Sequence, residues 1–169
     1  IDPLDLVDGI DIEDLVTKRT KHLMNPKQAD SIAKQTSNDY PNGFMAFGAD
    51  AVRFTFAALA THGREVRFDV KRIEGSRNFC NKLFNATRFV LMNIENHKDL
   101  IGQQYEDNYG DIDVWILAKL HNIVGEMPEL YKLYRFDLIA QKLYEFFWNE
   151  YIPSHIIPKI IINAAVFLY

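Results

Sequence analysis

The chain has 169 residues, of which 48% are hydrophobic and 25% are charged, and its formal net charge at pH 7 is −4. This length and composition are typical of a globular protein with one ordinary domain or parts of two, and they exclude a low-complexity chain. The mild negative charge excludes attraction of the whole chain to nucleic acid or to an anionic membrane, so any phosphate binding must depend on local basic patches.

The first part of the chain is predicted to form short helices with polar caps. Asp2-Pro3 and Asp11-Ile12 each begin a short helix, because a carboxylate can accept hydrogen bonds from the free N–H groups of the first turn. Asn25-Pro26 begins a clearer helix, with Asn as the cap and Pro at the first position. A further helix is predicted over about 50–61, and alternating polar and apolar residues over 64–69 predict a short extended segment.

The second part is predicted to contain three long amphipathic helices. One spans roughly residues 70–94, a second begins with Asp111 as its cap and runs to about Leu133, and a third carries the apolar residues of 136–148. The polar, turn-prone stretch 95–110 is predicted to be a loop. Long amphipathic helices joined by modest loops predict an antiparallel helical bundle, so the expected fold class is mainly α.

The helix predicted over 70–94 separates into two faces at about 100° per residue. The apolar stripe consists of Ile73, Phe79, Cys80, Leu83, Phe84, Val90, Leu91 and Ile94. The opposite face carries Lys71, Glu74, Asn78, Asn81, Lys82, Asn85 and Arg88. Asparagine is a poor helix former, so three asparagines beside Lys and Arg favour a face that hydrogen-bonds to something anionic. On periodicity alone, an ordinary polar surface explains this face equally well.

Several short motifs in the chain carry a resemblance to a known family. They are Ile1-Asp2-Pro3-Leu4-Asp5, Ala51-Val52-Arg53-Phe54, Gly63-Arg64, Arg77-Asn78-Phe79-Cys80-Asn81-Lys82 and Trp115-Ile116-Leu117. Together they resemble valyl-tRNA synthetases, a family of class I aminoacyl-tRNA synthetases, from the first residue to about Tyr151. The first motif is similar to the sequence that directly follows the Lys-Met-Ser-Lys-Ser signature loop of that class. We therefore expect the chain to be an internal piece of such an enzyme.

The resemblance implies three parts. Residues 1–70 are expected to be the stem-contact part at the C-terminal end of the class I catalytic domain, which holds the signature loop in place. Residues 71–151 are expected to be the N-terminal part of the helical anticodon-binding domain. The hydrophobic tail 152–169 departs from the family pattern and is too interrupted for a convincing membrane span. We expect a shift of reading frame near Tyr151, with a genuine segment that packs on the bundle as the alternative.

The resemblance also implies a parent enzyme that uses ATP and Mg²⁺ to attach valine to its tRNA in the cytoplasm. Neither the His-x-Gly-His motif nor the Lys-Met-Ser-Lys-Ser motif of that class occurs in this chain. The histidines are scattered and Cys80 is the only cysteine, so neither a zinc site nor an internal disulfide is expected. We expect this chain to be inactive by itself and to hold no cofactor or metal. Its expected partners are tRNA and the remainder of the catalytic domain, and neither DNA nor a membrane.

The resemblance and the polar helix face together select the residues expected to contact RNA. They are Arg72, Arg77, Asn78, Asn81, Lys82, Asn85 and Arg88. For each of them pairing within the protein is the alternative, for example Arg77 with a carboxylate of the acidic first segment. Trp115 and Trp148 lie among apolar residues at helical spacing and are expected to pack in the core. The alternative function is a non-enzymatic helical module for protein interaction.

Overall fold

The computed structural model describes residues 1–60, 69–96 and 110–151. In these ranges the chain forms helices α1 Pro3–Asp8, α2 Ile12–Thr20, α3 Ala29–Asp39, α4 Ala49–Leu59, α5 Val70–Asn96, α6 Asp111–Lys132 and α7 Phe136–Glu145. A 3₁₀ turn over Pro26–Gln28 precedes α3, and a π-helical turn over Phe146–Tyr151 follows α7. The mainly α fold class is confirmed. Within the described ranges, no helix combines the length and the apolarity that crossing a bilayer requires.

The chain divides into two compact units, and each is described by itself. Unit 1 comprises Ile1–Thr55 and Asp69–Arg77, and unit 2 comprises Phe56–Phe68 and Asn78–Tyr169. Several predictions fall on residues outside the described ranges. These are most of the extended segment 64–69, most of the loop 95–110 and the tail 152–169.

Three of the four helix caps predicted from the sequence are confirmed. The carboxylate of Asp2 accepts from the backbone N–H of Leu4 at 3.0 Å. Asp11 accepts from the N–H of the third helical residue at 2.9 Å. Asn25 caps as expected, although it starts the 3₁₀ turn rather than α3 itself. The fourth cap is wrong, because α6 is capped at Gly110, whose N–H donates to Asp113 Oδ2 at 3.0 Å.

The core of unit 1 forms where α1, α2 and the first turn of α5 contribute fully buried side chains. Leu6 and Leu15 are each 1% exposed, and Ile73 is 0% exposed. At the edge of this core Lys18 Nζ lies 2.7 Å from Asp5 Oδ1 and 3.0 Å from Asp2 Oδ2. Both hydrogen bonds raise the pKa of Lys18, and the bond to Asp5 has the larger effect. One lysine therefore fixes α2 to the start of the chain.

In unit 1 the backbone of the loop between α1 and α2 closely approaches the backbone of the loop between α3 and α4. Ile10 and Phe44 form an isolated antiparallel β-bridge, with N···O distances of 2.9 and 2.8 Å. The bridge is possible because Gly43 adopts a φ of +68°, a left-handed conformation that glycine tolerates. A Cβ atom at this position would overlap the carbonyl oxygen of Ile10. The turn therefore requires glycine on two independent grounds.

Unit 2 is organised around the hairpin of α6 and α7. The three-residue link between Lys132 and Phe136 makes the two helices antiparallel neighbours, and Ile116, Ile139 and Ala140 are buried. At the start of α7 the guanidinium of Arg135 donates two bonds of 2.8 Å to the carboxylate of Asp137. The hydrogen bonding from Arg135 is the largest cause of the lowered pKa of Asp137, which is about 2.

The predicted apolar stripe of α5 is only partly buried in unit 2. Phe79 and Val90 are 4% and 8% exposed, as expected. Leu83, Phe84 and Leu91, which belong to the same stripe, are 41%, 66% and 53% exposed. The stripe is about 140° wide at 100° per residue, and a single neighbouring helix covers a narrower arc of about 100°. Phe79 and Val90 lie at one edge of the stripe, so among the described residues of unit 2 burial is concentrated at that edge.

We predict that Gly43→Ala destabilises the chain by about 3 kcal/mol or more, because both the positive φ and the overlap with Ile10 must be relieved. Gly48 is the matched control, since it has a φ of +83° but nothing within 4 Å of an added Cβ. Gly48→Ala is expected to cost only about 1 kcal/mol. Urea unfolding of both variants measures the difference, and equal losses would show that the close approach is unimportant.

We predict that stability falls as the pH drops from about 4 towards 2, in part because Asp137 must be protonated. Its folded pKa of about 2 lies below the ordinary value of 3.8, so its contribution is present above pH 4 and is lost as the pH falls through 2. Asp137→Asn should therefore narrow the difference between the urea midpoints at pH 5 and pH 3. Glu129→Gln is the control, because its ion pair with Lys132 is largely exposed. An unchanged difference in Asp137→Asn would contradict the prediction.

Candidate nucleic-acid interface

The outer face of α5 in unit 2 presents a row of polar and basic side chains. They are Asn78, Asn81, Lys82, Asn85 and Arg88, and all five are exposed; we call them the asparagine surface. Neighbours in this row are three or four residues apart, which places their Cβ atoms about 5–6 Å apart. The row extends for about 15 Å along the helix. This is a suitable arrangement for several adjacent contacts to an extended polyanion.

The rotation of α5 about its own axis exposes this surface. Phe79 is 4% exposed and its ring centroid lies 5.0 Å from that of Tyr144 and 5.6 Å from that of Phe147. Val90 is buried about three turns further along the helix. Because these two residues must face inward, the asparagines opposite them must face solvent. The polar face is therefore exposed while the apolar stripe is only partly buried, and what the polar face binds stays a prediction.

Lys82 lies at the edge of the asparagine surface, next to α7. Its Nζ is 4.2 Å from the centroid of the Trp148 ring, within the range of a cation–π contact. Trp148 in turn stacks on Tyr144, with centroids 5.7 Å apart and an interplanar angle of 8°. Sequence reasoning missed these two aromatic residues as surface groups. The i, i+4 spacing of Tyr144 and Trp148, together with Lys82 on α5, was the sequence signal from which this cluster could have been predicted.

The expectation that both tryptophans pack in the core is wrong. Trp115 is 41% exposed and Trp148 is 37% exposed. Helical spacing among apolar residues does not show whether a neighbouring element covers a side chain, and both indoles are left partly exposed. Cys80, the one thiol, is partly buried on α5.

The two remaining candidates, Arg72 and Arg77, belong to unit 1. Arg72 is exposed, whereas Arg77 is half-buried. The Nη1 group of Arg77 donates to Met45 Sδ at 3.1 Å. A thioether is a weak acceptor that leaves the charge of the guanidinium unneutralised. Arg77 therefore has a role in packing, which its place in the predicted set did not anticipate.

One depression described in unit 1 does not suit a polyanion. It is open, has a volume of about 740 Å³ and is lined by the carboxylates of Asp8, Asp11, Asp14 and Glu74 together with backbone of the Gly43 turn. Like charges repel a phosphate group at this range. The electrostatics of unit 1 therefore direct any RNA contact away from this depression.

The side chains of the asparagine surface suit the binding of an anion. Over residues 1–60, 69–96 and 110–151, no group of three His, Cys, Asp or Glu side chains is placed to hold a metal ion. The asparagine surface supplies amide, ammonium and guanidinium groups, all of which donate hydrogen bonds. Such groups can hold an anionic partner in place.

Comparison with known proteins gives one family match and many similar sequences. Residues 113–157 match the model of the anticodon-binding domain of tRNA ligases. The valine--tRNA ligase of Dechloromonas aromatica is 49% identical over 160 residues, covering 89% of this chain and 17% of that protein. The valine--tRNA ligase of Xanthomonas campestris pv. campestris is 51% identical over 170 residues, covering 98% of this chain and 17% of that protein. The chain thus spans about 17% of the length of these curated relatives.

We predict different effects for alanine substitutions of the two unit 1 arginines. Arg77→Ala should lower the free energy of unfolding by about 1 kcal/mol, because its stem and its contact with Met45 are lost. Arg72→Ala should change it by less than about 0.5 kcal/mol, since the side chain is exposed. Chemical denaturation measures both, and an Arg77 variant as stable as the Arg72 variant would contradict the packing role.

Proposed function

The chain corresponds over nearly all of its length to one segment of the valine--tRNA ligase family, and from this premise we propose that it is the part of such a ligase that holds tRNA. The parent protein attaches valine to its tRNA with ATP and Mg²⁺, and it acts in the cytoplasm. Within it this chain contributes binding and positioning, and the chemistry lies in other segments of the ligase.

The depression of unit 1 does not suit the triphosphate of ATP. No metal-holding group occurs in the described ranges, and the carboxylates around the depression of unit 1 would repel a triphosphate. The chain by itself is expected to be inactive.

We further propose that the domains divide as the resemblance implies. Residues 1–70 are the stem-contact part at the end of the catalytic domain, and residues 71–151 begin the anticodon-binding domain. Supporting the second assignment, the anticodon-binding model matches residues 113–157. We also propose that the tail 152–169 is an atypical segment, with a shift of reading frame near Tyr151 and a genuine segment that packs on the bundle as its two explanations.

The observation that carries the tRNA-binding proposal is the asparagine surface on α5. Lys82 and Arg88 supply the positive charges for phosphate contacts, which fix the position of a nucleic acid without reading its sequence. Asn78, Asn81 and Asn85 supply amide donors and acceptors that can reach ribose 2′-hydroxyls, the groups that distinguish RNA from DNA. Arg72 and Arg77 are proposed to add contacts from unit 1. The partner is therefore tRNA, with valine specificity set by the parent ligase.

A second function is favoured by the exposed apolar side chains of α5 and α6. Phe84 and Leu91 on α5, and Val114 and Val124 on α6, are each more than half exposed. Exposed apolar groups that form one continuous patch are typical of surfaces that bind another protein. A helical module for protein interaction is therefore the alternative, and the response to salt distinguishes it from RNA binding.

We predict that the affinity of the chain for valine tRNA falls with salt, with a log–log slope of about −3. This slope corresponds to about four phosphate contacts at 0.7–0.9 each. Fluorescence anisotropy of labelled tRNA at about 50–200 mM KCl measures it. Association through apolar surfaces would persist or tighten with a salting-out salt such as sulfate, so binding that is insensitive to KCl would favour the alternative.

We predict that Lys82→Ala and Arg88→Ala each weaken tRNA binding and make the slope less steep by about 1. Lys132→Ala is the matched control, because this lysine is equally basic and exposed but lies on α6 beside Glu129. It should leave affinity and slope unchanged. If all three variants bind as the unsubstituted chain does, the asparagine surface is not the RNA site.

A further inference from the structure

Two aromatic rings lie parallel at the surface of unit 2. Tyr144 is in the last turn of α7 and Trp148 is in the π-helical turn that follows. Their ring planes differ by only 8° and their centroids are 5.7 Å apart. They are 39% and 37% exposed, so a substantial part of each side chain can be reached from solvent. Single π-helical turns occur frequently at functional sites.

Buried aromatic residues hold this pair in place from the inside. The Phe79 ring lies 5.0 Å from Tyr144, and it meets Phe147 edge-to-face at 89° with centroids 5.6 Å apart. Phe79 and Phe147 are 4% and 7% exposed. The inner rings are therefore core, and the outer pair is supported on them. A supported ring loses little conformational freedom when a ligand stacks on it.

The ammonium group of a lysine covers part of the exposed tryptophan. Lys82 Nζ lies 4.2 Å from the Trp148 centroid, and the lysine side chain is itself exposed. A lysine head group on a four-carbon stem can leave the ring without disturbing the helix that carries it. The same lysine belongs to the asparagine surface. One residue therefore links the aromatic pair to the candidate phosphate contacts.

The chemistry of this arrangement matches an unpaired nucleotide. A base has a flat π-face that stacks on an aromatic ring, and its phosphate attracts an ammonium group. When a base takes the place of the ammonium over Trp148, the Lys82 head group becomes available for the adjoining phosphate. A base inside a duplex cannot reach the ring, because its faces are already stacked on its neighbours.

We propose that Tyr144, Trp148 and Lys82 form a stacking site for one unpaired nucleotide of bound RNA. The proposal rests on the function proposed above and deepens it, since it adds a contact to a base where the asparagine surface contacts the backbone. The site tolerates any base, because every base has a π-face. It therefore selects an unpaired loop or end over a stem.

Trp115 is a matched control within the same chain. It is also partly exposed, at 41%, and Lys119 Nζ lies 5.6 Å from its ring. Unlike the environment of Trp148, the lysine beside Trp115 forms an ion pair, since Lys119 Nζ lies 3.2 Å from Glu150 Oε1. Its charge is therefore partly neutralised, and the site proposed at Trp148 should not be duplicated at Trp115.

The test uses the full chain carrying Trp115→Phe, so that Trp148 is its only tryptophan. This variant is titrated with a short single-stranded RNA and with the same strand annealed to its complement. We expect saturable quenching of Trp148 fluorescence by the single strand and little quenching by the duplex. Anisotropy of the labelled RNA reports binding independently of the tryptophan.

The outcomes separate this proposal from the one on which it rests. RNA that binds by anisotropy but leaves Trp148 fluorescence unchanged, or quenches it equally as a duplex, overturns the stacking site and leaves RNA binding standing. RNA that does not bind at all overturns both. Trp148→Leu should weaken single-strand binding by about tenfold, whereas Trp115→Leu should not. Because the fluorescence titration keeps Trp148 in place, it decides the question even if the Trp148→Leu variant fails to fold.

Discussion

Burial of Phe79 is the constraint on which the arrangement of unit 2 depends. Its ring packs between Tyr144 and Phe147, and this contact sets the rotation of α5 about its axis. Once Phe79 faces inward, the helical repeat requires the asparagines to face solvent. The same contact supports Tyr144 from below and thereby holds the outer aromatic pair. One buried ring thus positions both the polar face of α5 and the aromatic rings beside it.

The helices of the chain were largely predictable, because they depend on local rules. Caps at Asp2 and Asp11 and the 3.6-residue period of α5 act over a few residues, and all of them appear in the structure. Gly110 escaped prediction because a glycine cap has no side chain to recognise, and its partner Asp113 lies inside the helix. The exposure of Trp148 also could not be predicted, since an apolar residue at helical spacing looks the same whether or not a neighbour covers it.

The candidate site also has a part that local sequence predicts and a part that depends on packing. The five residues of the asparagine surface follow from periodicity on one helix, and all five are exposed as expected. The packing role of Arg77 could not be predicted, because its partner Met45 lies 32 positions away in sequence and no local pattern indicates that contact. The proximity of Lys82 to Trp148 depends on the packing of α5 against α7. Local sequence therefore predicts which side chains face solvent, whereas packing decides which of them meet.

The Gly43 turn also bears on the meaning of sequence variation among relatives of this chain. Every other amino acid has a Cβ atom, and at this position that atom meets the backbone of Ile10 and Asp11. Selection against substitution would therefore operate at Gly43 in any relative that keeps the turn, whatever that relative binds. Gly48 shares the positive φ but has open space around it, so it should drift more readily. An unvarying glycine at position 43 would thus indicate inherited geometry and would carry no information about RNA.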